Sequence, residues 1–259
     1  AAQRTKPRTI SVDVAVEKFV VRDGRRTGRV QTRLVTTEGD LPEPPTDLHT
    51  IVAERSGGTE GPTGALGEEY LRERLGGLEL RVSPFAFLQT NTETAELLYE
   101  LARDYAALTP GERLFDLYCG IGTIGLSLAA DAGEVWGMET VPQAIADAEA
   151  NAELNGIGNA RFRAADARLG IRPLIEEAGR PDVVVVDPPR AGLSAKVVRR
   201  VLECEAERIV YVSCNATTMA PNARQMVEAG YSLSRVRPVD MFPQTPHIEC
   251  VALLERRGS

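Results

Sequence analysis

The sequence predicts a doubly wound α/β domain over residues 83–259, preceded by a small β-rich lobe over 1–82. Three observations lead there. From residue 113 onward, short apolar runs alternate with stretches of helical periodicity. One of those runs, within Pro181–Pro189, is Val183-Val-Val-Val186 without a polar break, as in a strand covered on both faces. The first 36 residues instead carry Val-rich alternation around the turn Asp23-Gly-Arg-Arg-Thr-Gly28, the pattern of a hairpin.

Element by element, residues 10–22 read as one strand or two, and 28–39 as the strand that returns. Residues 38–47 are acidic and Pro-rich, a turn or linker, and 56–66 are a Gly-rich loop. Residues 78–88 look like a strand broken at Ser83-Pro84. Between Glu93 and Leu108, apolar residues 97, 98, 101, 102 and 105 share one helical face, and Pro110-Gly111 closes the helix. Strands are then expected at 113–120, 134–140, 160–166, 181–189 and 207–213. Helices are expected at 123–131, 141–154, 171–178, 194–203 and 219–229. The last two strands, near 231–239 and 248–254, have no helix between them, which predicts an antiparallel pair at one edge of the sheet.

Composition narrows the function. In 259 residues, 43% are hydrophobic and 26% charged, enough for a sizeable core and too apolar for disorder. No apolar run reaches the roughly 18 residues of a membrane span, and the start lacks the apolar stretch of a secretory signal. Cys119, Cys204, Cys214 and Cys250 show no CxxC spacing, and the only histidines are His49 and His247. That argues against a metal site and for reduced thiols in the cytoplasm. Net charge is −7, but residues 1–36 hold nine basic residues against three acidic ones. The segment is either a basic face on an acidic body or a solvated Arg-rich surface.

The chemistry-bearing residues follow strands. Asp116-Leu-Tyr118-Cys-Gly120-Ile-Gly122 ends the first strand of the α/β domain, and its glycines let the backbone approach a ligand closely. Dinucleotide sites share that pattern. Glu139 and Asp166 end the next two strands, where they suit a ribose and an adenine amine, or simply cap helices. Three carboxylates fit the neutral ribose of S-adenosylmethionine better than a 2′-phosphate, with NAD the alternative. Asp187-Pro-Pro-Arg190 ends the apolar strand, and Cys214 ends the next. A lone Cys there is either a core thiol or a nucleophile. Glu249 opens the apolar strand Cys-Val-Ala-Leu-Leu, where an unused carboxylate is costly.

In these motifs the chain resembles the RNA uracil-C5 methyltransferases, which make 5-methyluridine in tRNA and ribosomal RNA. The matching stretches are SPFAFLQTNTETAELLY (83–99), FDLYCGIGTIGL (115–126), VVDPPRAGL (185–193), YVSCNATT (211–218) and DMFPQTPHIECVALLER (240–256), with a weaker match over 17–36. The resemblance implies a class I S-adenosylmethionine-dependent methyltransferase fold and an RNA substrate. It implies Cys214 as nucleophile, Glu249 as general base and Asp187 against the uracil edge. Phe87 would stack on the extruded base, and Gln89 would lie between cofactor and base. Tyr118, Gly120, Glu139 and Asp166 would contact the cofactor, beside Asp116 and Gly122 of the glycine motif. Arg190 or His247 would donate to the oxygen that gains charge. The sequence departs from the family at Gln244, usually His, and Ala216, usually Pro. The small RNA-binding barrel and the [4Fe–4S] cysteine cluster of many members have no counterpart in these residues, so the chain reads as starting inside the central lobe. An accessory RNA-binding domain or protein would then supply part of the RNA contact. A cytosine or non-RNA acceptor on the same scaffold, or a non-catalytic RNA-binding protein, are the competing readings.

Overall fold

A computed structural model describes residues 16–36, 50–55, 64–67, 70–84 and 86–258. The chain divides into two compact units, 1–74 with 81–84, and 75–80 with 85–259.

In the first unit, β1 (Val16–Gly24) and β2 (Arg29–Thr36) are antiparallel, as the alternation predicts. Their turn closes on the Gly24 carbonyl, which accepts the Thr27 and Gly28 N–H at 3.0 and 2.6 Å. Strands β3 (Thr50–Arg55) and β4 (Gly64–Gly67) complete a four-stranded sheet. The loop expected over 56–66 thus gives way to a strand at Gly64, and its residues 56–63 lie outside the described residues. So do the expected strand residues 10–15, the linker over 38–47, and the basic residues Arg4, Lys6 and Arg8.

Strand β5 (Leu71–Leu75) was not legible because a glutamate stands at the centre of its inward face: Leu71, Glu73 and Leu75 are all buried. Glu73 is tolerated there because its carboxylate accepts backbone N–H groups, from Arg26 at 3.2 Å and Arg74 at 2.7 Å. Strand β6 (Leu78–Val82) ends just before Ser83-Pro84.

The second unit carries α1 (Thr92–Ala106), β7 (Arg113–Leu117), α2 (Thr123–Leu128), β8 (Glu134–Glu139), α3 (Pro142–Leu154) and β9 (Ala160–Ala164). It continues with α4 (Ala167–Ala178), β10 (Val183–Val186), α5 (Ala195–Glu203), β11 (Arg208–Ser213), α6 (Ala216–Glu228), β12 (Tyr231–Val239) and β13 (Glu249–Arg256). Strands β7 to β13 form one sheet in the order β9-β8-β7-β10-β11-β13-β12. The first five are parallel. Strand β13 runs antiparallel between β11 and β12, so the final pair occupies the expected edge. The four valines of β10 are fully buried at the centre, each stabilising the fold by about 1.5–3 kcal/mol through removal from water.

Several helix ends differ from the sequence expectation. Helix α4 starts at Ala167 instead of 171, because Asp166 caps it by accepting the Arg168 N–H at 2.8 Å. This leaves Pro173 inside the helix. Helix α6 starts three residues early, at Ala216, capped by Asn215 Oδ1 on the Thr217 N–H at 3.1 Å.

The strand order reverses between β7 and β10. In an open α/β sheet, loops leaving such a pair diverge and open a crevice at the carboxyl ends of the strands. The glycine motif leaves β7 and Asp187-Pro-Pro-Arg190 leaves β10, so both motifs flank that crevice.

Candidate active site

Pleat parity sorts the site residues. Phe115, Leu117, Val184, Val186, Tyr211, Cys250 and Ala252 belong to one core cluster, on one face of the sheet. Side chains alternate along a strand, so Asp116, Asp187 and Glu249 project from the other face. The register carries this across the sheet. Asp116 stands beside Val185 on β7 and β10, while Ser213 pairs with Cys250 on β11 and β13. Cys214 and Glu249 therefore follow as neighbours, one residue beyond.

Electrostatics agree with this placement. Burial, then Glu249 and Asp116, push the Asp187 carboxyl up to about 7. Burial also raises the Glu249 carboxyl, and Arg190 opposes the rise. The Cys214 thiol is raised by burial and by Glu249, and lowered by the nearby Arg190. Cys214, Asp187, Glu249 and Arg190 thus act on one another. Cys214 is half-buried and Glu249 buried, while Cys119, Cys204 and Cys250 are buried thiols.

The glycine motif turns sharply. The N–H groups of Tyr118 and Cys119 both donate to the Met138 carbonyl, at 2.9 and 3.1 Å. Tyr118 takes φ 66°, a left-handed conformation that costs a non-glycine residue about 1–2 kcal/mol. Gly122 takes φ 85°, which strains any other residue, and a Cβ there would press on the Leu126 and Phe162 side chains at 3.1 Å.

Asp116 lies fully buried beneath this loop. Its Oδ2 accepts the Gly125 N–H at 2.8 Å, and its Oδ1 is buried with no partner among the described residues. Burial pushes this carboxyl up to about 7. Glu139 accepts from the Thr140 N–H and hydroxyl and the Val141 N–H, all through Oε1, which leaves Oε2 out of these bonds. The Asp166 carboxylate is engaged by the Arg168 backbone and guanidinium, which hold it below the usual carboxylate range.

Just before α1, Gln89 is buried and Phe87 is 67% exposed. Asn91, the N-cap of α1, donates from Nδ2 to the Met241 carbonyl at 3.1 Å, which ties this segment to the loop that carries His247. That loop includes Gln244 at φ 68°. His247 is exposed, and its backbone N–H donates to Thr245 Oγ1 at 3.3 Å. Sequence reasoning passed over Tyr99, whose hydroxyl donates to Thr123 Oγ1 at 3.0 Å close to Asp116 and Asp187. It also passed over Asn215 and Asn222. A lone Asn or Tyr in a helical pattern carries no signal beyond propensity.

The two carboxyls that titrate at about 7 set a pH dependence. Unfolded, Asp116 and Asp187 titrate at the ordinary carboxylate value of 3.8, and folded at about 7. Between those values the folded protein holds more protons, so stability should fall as pH rises through this window and level off above it. Asp116 alone contributes up to about 1.4 kcal/mol per pH unit. Thermal melting of the ligand-free protein should give a lower Tm at about pH 8 than at about pH 5.5, and Asp116→Asn should shrink the difference. Equal melting of the two proteins at both pH values would refute a buried, proton-holding Asp116.

The seven-stranded order with an antiparallel β13, and ligand loops at the strand ends, define the class I S-adenosylmethionine-dependent methyltransferase fold. Residues 57–172 and 174–257 match the family described as tRNA (Uracil-5-)-methyltransferase, and the chain belongs to that family. An uncharacterized RNA methyltransferase of Enterococcus faecalis is 41% identical over 254 residues, covering 92% of this chain and 56% of that protein. The chain thus spans little more than half the length of such relatives. The crystal structure of Pyrococcus abyssi tRNA (uracil-54, C5)-methyltransferase, in complex with S-adenosyl-L-homocysteine, superposes with a TM-score of 0.76. It is 34% identical, over 91% of this chain and 59% of that one. Trm5b from Pyrococcus abyssi, 13% identical with a TM-score of 0.61, shares the fold over 99% of this chain and 82% of its own.

Proposed function

We propose that this chain transfers a methyl group from S-adenosylmethionine to C5 of a uridine in RNA, through a covalent bond between Cys214 and C6 of the base. The observation that carries this reading is the sheet register, which sets Cys214 beside Glu249 and puts Asp187 on the same face as Asp116 of the glycine motif.

The residues at the crevice fit the cofactor. The left-handed turn at Tyr118, Gly120 and Gly122 makes room for a close ligand, and Glu139 keeps Oε2 available for ribose hydroxyls. The buried Asp116 Oδ1 beneath the loop has no partner among the described residues, and this carboxyl, which titrates at about 7, adds negative potential toward a cationic ligand when it ionises. Asp166 would reach adenine only by giving up part of its bonding to Arg168. S-adenosylmethionine, when bound, supplies an electrophilic methyl on a positively charged sulfur.

The chain's own residues do the rest. Uracil C5 is a poor nucleophile, so Cys214, ionised to the thiolate, attacks C6, and the C5–C6 π electrons become those of an enolate with density at C5. After C5 is methylated, Glu249 takes the C5 proton. The C5–H electrons restore the C5–C6 double bond, and the C6–S electrons return to Cys214. Asp187 faces the base edge. Ionised, it accepts from N3–H. Protonated, as a carboxyl titrating at about 7 permits, it donates to O4 as charge develops there. Arg190 is the cation beside Cys214 and Glu249. A base must leave its stack to be reached, and exposed Phe87 offers a ring to stack on. The basic N-terminal segment suits the phosphates, with any accessory RNA-binding domain or partner adding to it.

Mass-spectrometric mapping of RNA incubated with the protein and S-adenosylmethionine tests this reading directly. New 5-methyluridine is expected, in tRNA or ribosomal RNA. New 5-methylcytidine alone, or no methylation of any RNA, would overturn it. For the cofactor, Glu139→Ala should weaken S-adenosylmethionine binding by at least the ~1.5–3 kcal/mol of a charge-assisted hydrogen bond. Unchanged affinity by calorimetry would reject the ribose role of Glu139.

A further inference from the structure

Asn222 sits in the middle of α6, buried at 6% exposure, eight residues beyond Cys214. Its carboxamide is used on both sides. Oδ1 accepts the Leu193 N–H at 2.9 Å and the Tyr211 hydroxyl at 3.0 Å, while Nδ2 donates to the Leu193 carbonyl at 2.9 Å. One side chain therefore ties the end of the Asp187–Leu193 loop to β11 and α6. The first turn of α6 holds the same loop three residues earlier. Asn215 Nδ2 and Thr218 Oγ1 both donate to the Arg190 carbonyl, at 3.2 and 3.0 Å. The fit is close: a Cβ on Gly192, at φ +72°, would meet Asn222 Oδ1 at 2.9 Å. The Arg190 backbone is thus fixed to the helix that begins beside Cys214.

We propose that Asn222 is a positioning residue for the nucleophile: by anchoring the Asp187–Leu193 loop to α6, with Thr218 and Asn215 as the near clamp, it holds Arg190 beside the turn that carries Cys214. The proposal rests on the reading of Cys214 as nucleophile. The groups acting on that thiol are Glu249 from β13, Asp187 from the end of β10 and Arg190 from the loop, with Tyr211 of β11 coupled to it from the other face of the sheet. Of these, Arg190 alone is cationic, so the thiolate fraction depends on where the loop holds it.

The test is the pH profile of Cys214 alkylation by iodoacetamide in the intact chain, which needs no RNA and is distinguishable from failure of the uridine reading. The other three thiols are buried. Asn222→Leu keeps the branched shape and removes all three bonds. It should raise the apparent thiol pKa and slow alkylation near neutral pH by about tenfold, the effect of one pKa unit. Arg190→Leu should produce the same shift, and the double variant no further one. Thr218→Val, a milder change at a half-buried position, should shift the profile part-way with cooperative melting retained. A wild-type profile in folded Thr218→Val and Asn222→Leu, or additive shifts in the double variant, would overturn the proposal.

Discussion

Cys214→Ala should bind S-adenosylmethionine and RNA yet form no 5-methyluridine and no covalent complex. Without the sulfur, C5 never gains the electron density that methyl transfer needs. The expected loss of turnover is at least about a thousandfold, the scale on which removal of a nucleophile acts. The fold should survive, because Cys214 lies outside the buried core cluster and Asn215 and Ser213 hold its turn: Asn215 N–H donates to Ser213 Oγ at 3.1 Å. RNA containing 5-fluorouridine sharpens the measurement. Fluorine at C5 cannot leave as a proton, so the wild-type protein should stall with RNA attached, visible as a shifted band in denaturing electrophoresis. The variant should show none. Product formation by Cys214→Ala would transfer the nucleophile to another residue and remove the chemical basis of the proposed function.

Glu249→Gln should fail at a later step. The amide fills the same buried volume but cannot take a proton. Cys214 should still attack and the methyl should still transfer, after which elimination stops because the C5 proton has no acceptor. A protein–RNA species carrying radiolabelled methyl should therefore accumulate on ordinary, unfluorinated RNA. The substitution also removes the carboxylate whose charge raises the Cys214 thiol, so attack itself should not slow. Wild-type turnover by Glu249→Gln would exclude it as the base, and Asp187, whose carboxyl titrates at about 7, would be next in line. Loss of the adduct together with turnover would place Glu249 in the attack step instead.

The sequence by itself determined the α/β domain and the order of its elements. Period-two and helical patterns are local, and the four valines of β10 read as a covered strand with no knowledge of what covers them. It also supplied the chemical residue types at the strand ends, because a glycine motif, an Asp-Pro-Pro-Arg and a strand-end Cys are contiguous in the chain. The small unit was less legible. Strand β5 hides behind Glu73, whose partners are backbone N–H groups, one of them 47 residues away. Helix α4 begins at Ala167, where Asp166 caps it, and includes Pro173 because burial of its Ile171 and Leu174 face holds it to the sheet.

Tertiary structure alone decided how those residues are used. Asp116, Asp187 and Glu249 come from strands separated by tens of residues, and only the register of β7, β10, β11 and β13 sets them on one face. Burial there raises their carboxyls, which no local pattern encodes. The same holds for Asn222: in sequence it is one polar residue in a helix, and only packing makes it the anchor of a loop 29 residues away. Backbone pattern is a short-range property of the chain, whereas desolvation and hydrogen-bond partnership depend on what the fold brings alongside.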